Sequence, residues 1–82
     1  MSDDLTLEFA RLLRDKQDEL TTHRDRWAKT ARSIIRMLVD GAVAMDRFDP
    51  HAFAAAVDDL HGSTQAIGPL EAQVRELKAR LL

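Results

Sequence analysis

The sequence predicts an all-α protein built as a helical hairpin, and three observations carry that reading. Leucine and alanine dominate the apolar residues, while glycine, proline, β-branched and aromatic residues are scarce, a bias that favours helix over strand. No segment alternates apolar and polar residues as a half-buried strand would. Apolar residues recur instead at steps of three and four along most of the 82 residues.

The first helix is predicted over about 4–47. Its stripe runs Leu5, Phe9, Leu12, Lys16, Leu20, His23, Trp27, Ala31, Ile34, Leu38, Ala42 and Met45. The steps repeat as 4-3-4 every eleven residues, about 3.67 residues per turn, which predicts a straight or slightly right-handed helix. Ser2 or Asp3 can cap its start, and Asp3 and Asp4 suit the positive end of the helix dipole. It should stop near Arg47, because Asp49-Pro50 places a capping side chain before a proline, which is tolerated at a first helical position.

A second helix is predicted over about 50–61, with Phe53, Val57 and Leu60 on one face and Gly62 as the stop. Gly68-Pro69-Leu70-Glu71 reads as a new start, giving a third helix over about 69–82 with Leu70, Val74, Leu77 and Leu81 at steps of 4-3-4. Thr64 and Ile67 keep the stripe nearly in phase through 62–69. One helix over 50–82, kinked at 62–69, is therefore the alternative to the favoured pair.

Length argues against a monomer. A helix over 4–47 is about 66 Å long at about 1.5 Å per residue, whereas a compact chain of this size has a radius of gyration of about 12 Å. A continuous second arm folding back from Asp49 would reach only to about Lys16, leaving Leu5, Leu7, Phe9, Leu12 and Leu13 without cover. Toward the turn, Ile34, Ile35, Leu38, Val39, Ala42, Val43 and Met45 span a wider arc than one neighbouring helix can fill. The expected remedy is a homodimer forming a four-helix-like bundle. Ile34, Ile35, Leu38, Val39 and Ala42, with Phe53, Val57 and Leu60 of the second segment and Leu70, Val74, Leu77 and Leu81 of the third, are the expected dimer or core positions.

Residues 14–26 hold one strongly apolar side chain, Leu20, and Lys16 and His23 sit on the stripe itself, as a register-setting polar layer or rim would. The first helix thus divides into residues 27–48, which build the bundle, and residues 5–13, which engage a partner. Leu5, Phe9, Leu12 and Leu13 are the expected partner-binding residues. Trp27 joins them because tryptophan is enriched among interface hot spots, although a packing anchor is its plainer role.

Arg24, Arg26, Lys29, Arg32 and Arg36 form a candidate basic docking patch for phosphate or an acidic partner, and a solvated helix face is the plainer reading. No aromatic interleaving favours single-stranded nucleic acid. Asp58, Asp59 and His61, with His51, invite a metal reading, but the spacing does not supply the three ligands a catalytic site needs. Neither a metal nor a cofactor is expected.

The formal net charge of −2 gives no global attraction to nucleic acid or anionic membrane. The absence of cysteine excludes disulfides, thiolate metal sites and cysteine nucleophiles. The opening Met1-Ser2-Asp3-Asp4 is acidic where a secretory signal would be basic, and no run approaches the ~18 apolar residues of a membrane span, so the cytoplasm is the expected location. Alanine, arginine and aspartate bias suggests a GC-rich bacterial or phage source.

No nucleophile with a base, no paired carboxylates and no phosphate-cradling glycine loop stand in a persuasive context, so no catalytic residue and no enzymatic activity are expected. The expected function is a homodimeric protein-protein interaction module, a small regulator, adaptor or inhibitor of a larger protein. The alternative is a small DNA-binding transcriptional regulator with a helix-turn-helix in 50–82. Against it stand a 62–68 connection longer than the usual turn and a charge-balanced last helix. In scale the chain is similar to the all-helical chorismate mutases, small dimers with a long first helix. Their active-site arginines and lysine match no positions here, and a mutase-like enzyme is the third reading. Secretion chaperones, adaptor subunits and phage-encoded inhibitors of host proteins are similar in scale and architecture, not in motif.

Overall fold

The computed structural model describes the backbone of residues 2–81 and the side chains of residues 4–81. The cap expected from Ser2 or Asp3, and Leu82, lie outside the described residues. Helix α1 spans Ser2–Val43, a single 3₁₀ turn covers Met45–Arg47, and helix α2 spans Pro50–Leu81. The two helices pack antiparallel as a hairpin of 65 × 15 × 14 Å, with a radius of gyration of 18.6 Å.

The sequence places the end of α1 near Arg47, but the helix closes at Val43 on a last bond from the Ala44 N–H to the Asp40 carbonyl (2.9 Å). Ala44 then turns extended (φ −143°, ψ 89°), so the chain leaves the helix early enough for Phe48 to fold back over Gly41. A Cβ at Gly41 would lie 3.0 Å from the Phe48 ring, which accounts for glycine there. Phe48 in turn meets Phe53 of α2, with ring centroids 5.4 Å apart and planes inclined at 53°.

The start of α2 follows the sequence expectation. The Asp49 carboxylate accepts hydrogen bonds from the backbone N–H groups of His51 (3.0 Å) and Ala52 (3.2 Å), the geometry of an N-cap, with Pro50 at the first helical position.

The favoured break at 62–69 does not occur. Gly62, Gly68 and Pro69 lie within one helix, and no glycine adopts the positive φ of a helix stop. Gly68 and Pro69 together cost about 4 kcal/mol in a helix interior. Burial of Leu70, Val74 and Leu77, at about 1.5–3 kcal/mol each, offsets that cost.

The contact seam also corrects the eleven-residue period. On α1 it passes through Leu13, Lys16, Leu20, His23, Trp27, Thr30, Ile34, Met37 and Gly41, alternating steps of three and four. All are buried or half-buried except Trp27, whose Nε1–H bonds across the seam to Thr64 Oγ1 (3.1 Å). On α2 it passes through Phe53, Ala56, Leu60, Ser63, Ile67, Leu70, Val74, Leu77 and Leu81. Both are heptad repeats, the pattern of a two-helix coiled coil. Beyond Trp27 the eleven-residue stripe drifts off this seam, and Leu38 and Ala42 end outside it.

Leu20, Leu70, Val74 and Leu77 are the buried apolar side chains among the described residues. Leu13 and Ile67 pack against the cluster of Leu20, Leu70 and Val74. The core therefore lies beside the polar stretch 14–26, where α1 supplies only Leu20 and α2 supplies the rest. The strongly apolar half of α1 lies elsewhere.

Candidate interaction surface

Most of the large apolar side chains that the hairpin leaves outside its core gather in two places, while Val43 and Met45 stand exposed at the turn itself. The first is one flank of the turn half. Arg24, Ala31 and Leu38 form a row at seven-residue steps beside the α1 seam, with Ala28, Ile35 and Ala42 next to it. Ile35 is 60% exposed, Leu38 51% and Val39 57%. On α2 the row bordering this flank is Val57, Thr64, Glu71 and Lys78, and Val57 is 41% exposed. The Trp27–Thr64 bond and an Arg24–Glu71 ion pair (3.0 Å) fix the two rows side by side.

The character of this flank changes at Trp27. On the turn side it is apolar. Toward the open end, where the two helix ends meet, it becomes a groove lined by Gln17, Thr21, Arg24, Glu71, Arg75 and Lys78 over Leu20 and Val74. Among the described residues Arg75 and Lys78 have no carboxylate partner.

The second place is the open end. The early close of α1 lets α2 reach further than the sequence arithmetic allows, to Phe9 rather than Lys16. The Arg80 guanidinium sits 5.8 Å from the Phe9 ring centroid, within cation–π range. Leu5, Leu7 and Leu12 stay exposed, and a groove lined by Phe9, Leu12, Lys16, Leu77 and Arg80 runs beside them. Leu13, expected to bind a partner, instead packs on the hairpin core.

Of the expected dimer or core positions, Leu70, Val74 and Leu77 are buried, and Ile34, Phe53, Leu60 and Leu81 are half-buried in the seam. Ile35, Leu38, Val39, Ala42 and Val57 are exposed. They are not core of the single chain.

The expected basic patch is split. Arg24 pairs with Glu71 on one flank, and Arg26 pairs with Asp59 on the other, where Thr30 also donates to Asp59 (2.9 Å). The hydrogen bond between them raises the Arg26 pKa and, with that of Thr30, lowers the Asp59 pKa below the usual carboxylate range. Lys29, Arg32 and Arg36 are exposed. Asp58 lines a shallow hollow with His23, Arg26 and Asp59, so one of the carboxylates weighed for a metal is engaged by an arginine. Among the described residues no three His, Asp or Glu side chains converge as a metal site would require.

Among the described residues no helix is long and apolar enough to cross a membrane. No protein-family model matches the chain, and comparisons with curated proteins and with solved structures return no match.

Proposed function

We propose that this chain is a non-catalytic protein-protein interaction module that works as a homodimer and acts as a small regulator, adaptor or inhibitor of a larger protein. One observation carries the reading. The hairpin seam takes Lys16, His23 and Thr30, while Ile35, Leu38, Val39 and Val57 stand outside it with about half their surface in water. A sequence selected for the single hairpin alone would place those residues the other way round.

Surface area supports the same conclusion. The hairpin exposes 6514 Å², whereas a compact protein of its mass exposes about 5000 Å². The excess of about 1500 Å² exceeds the ~800 Å² that each partner of a standard interface buries. Completing the burial of four half-exposed side chains yields about 1 kcal/mol apiece, roughly 8 kcal/mol over two copies. Association costs about 4–15 kcal/mol, so the whole flank, alanines included, must take part.

The second surface, Leu5, Phe9 and Leu12 at the open end, then serves the larger partner, which it would meet as an amphipathic helix meets a groove. Affinity purification from the native host tests this, using the wild type and a variant with these three residues changed to serine. The wild type should retain a specific protein that the variant loses, while both remain equally helical dimers. If the triple variant unfolds or dissociates, the open end is a structural element and the division of labour is wrong.

A DNA-reading role has less support. The helix-turn-helix weighed for 50–82 needs a break that α2 does not contain.

A further inference from the structure

The proposed homodimer leaves open how two hairpins meet, and the flank itself constrains the answer. Resting on that reading, we propose that a second copy of this chain covers only the turn half of the flank, with the hairpins antiparallel and overlapping turn to turn. The two open ends then project in opposite directions.

Three arrangements about a two-fold axis can be compared. In a parallel pair the apolar halves meet, but so do the charged halves. Arg24 of one copy then lies opposite Glu71 of the other, but the two grooves together bring six cations, Arg24, Arg75 and Lys78 of each copy, against two Glu71 carboxylates. In a fully overlapped antiparallel pair each apolar turn half lies against the partner's charged half, with Val57 of α2 opposite the partner's Lys78. That buries charge against apolar surface without pairing it. Only the turn-to-turn overlap sets apolar surface on apolar surface and leaves the charged grooves in water.

The small residues of the flank fit this contact. Ala28, Ala31 and Ala42 stand among the larger side chains, so that Ile35, Leu38 and Val57 of one copy can enter the gaps of the other. The overlap extends from Trp27 to the turn, about 30 Å at about 1.5 Å per residue. Beyond it, each arm carries its Leu5, Phe9 and Leu12 to a far end of the assembly, about 80 Å from the other set. The dimer is thus a two-headed module that presents the same partner-binding surface at both ends.

The sequence has no cysteine, so a single Asp15→Cys carries a unique spin label at an exposed α1 site. Turn-to-turn overlap predicts a label-to-label distance of about 65 Å, against about 30 Å for full antiparallel overlap and about 20 Å for a parallel pair. Pulsed electron-electron resonance on the full chain, with mass from light scattering on the same sample, separates these outcomes. A dimeric mass with the long distance supports the proposal. A dimeric mass with either short distance overturns it and leaves the homodimer intact, whereas a monomeric mass overturns both.

Discussion

Ile34 and Ile35 are adjacent in the chain and occupy opposite situations: Ile34 is half-buried in the seam against α2, and Ile35 lies beside the seam, exposed to solvent. That single step of about 100° around a helix separates the contacts that fold the hairpin from the surface we assign to a second copy. Substitutions should separate them too. Leu20→Ala or Leu70→Ala removes a buried core side chain and should lower stability by about 2–4 kcal/mol. Ile35→Glu with Leu38→Glu should leave the helical circular dichroism signal of a dilute sample nearly unchanged while abolishing self-association.

The cap of α2 gives a local test. Asp49→Ala deletes the acceptor for the His51 and Ala52 N–H groups and should cost about 1 kcal/mol. Asp49→Asn or Asp49→Ser retains an acceptor and should cost only a few tenths of that. Urea unfolding midpoints measure the difference.

Continuity of α2 makes a prediction with the opposite sign. A Cβ at Gly62 or Gly68 would meet nothing within 4 Å, so alanine at either position should stabilise by about 0.5–1 kcal/mol. Pro69→Ala restores an N–H inside the helix and relieves the ring's contact with the preceding turn, and should stabilise by about 1–3 kcal/mol. Were Pro69 the first residue of a separate helix, its replacement would be neutral or harmful. Thermal unfolding of the three variants distinguishes these cases.

The Arg26–Asp59–Thr30 cluster links stability to pH. Its hydrogen bonds hold the Asp59 pKa below that of an unfolded aspartate, near 3.9. Its contribution is therefore fully present above that range and is lost as the pH falls through the lowered folded value. The raised Arg26 pKa acts only at extreme alkaline pH. Asp59→Asn should narrow the gap between the urea midpoints at neutral and strongly acidic pH, and Arg26→Gln should do the same.

Much of this fold was legible in sequence because it follows from local chemistry. The Asp49-Pro50 cap, the helical composition and the return of the chain at the turn all depend on residues close together. What misled were features whose outcome depends on the partner helix. Gly62, Gly68 and Pro69 carry stop signals, yet Leu70, Val74 and Leu77 are buried against α1 and outweigh them. The stripe through Leu38 and Ala42 is the more apolar of two candidate faces, but α2 packs on Thr30, Met37 and Gly41 instead. Apolarity alone could not say which face turns inward, because the more apolar face is left exposed and the seam takes Lys16, His23 and Thr30. The split of Arg24 and Arg26 between two flanks is likewise set by where Glu71 and Asp59 fall on α2.

The claim that the turn-half flank is covered by a second copy is tested most directly by sedimentation equilibrium of the wild type at micromolar concentration. We predict a species of twice the 9.3 kDa chain mass that reverts to the chain mass when Ile35 and Leu38 are both replaced by glutamate. A wild type that stays fully helical at the single-chain mass across that range would contradict the account.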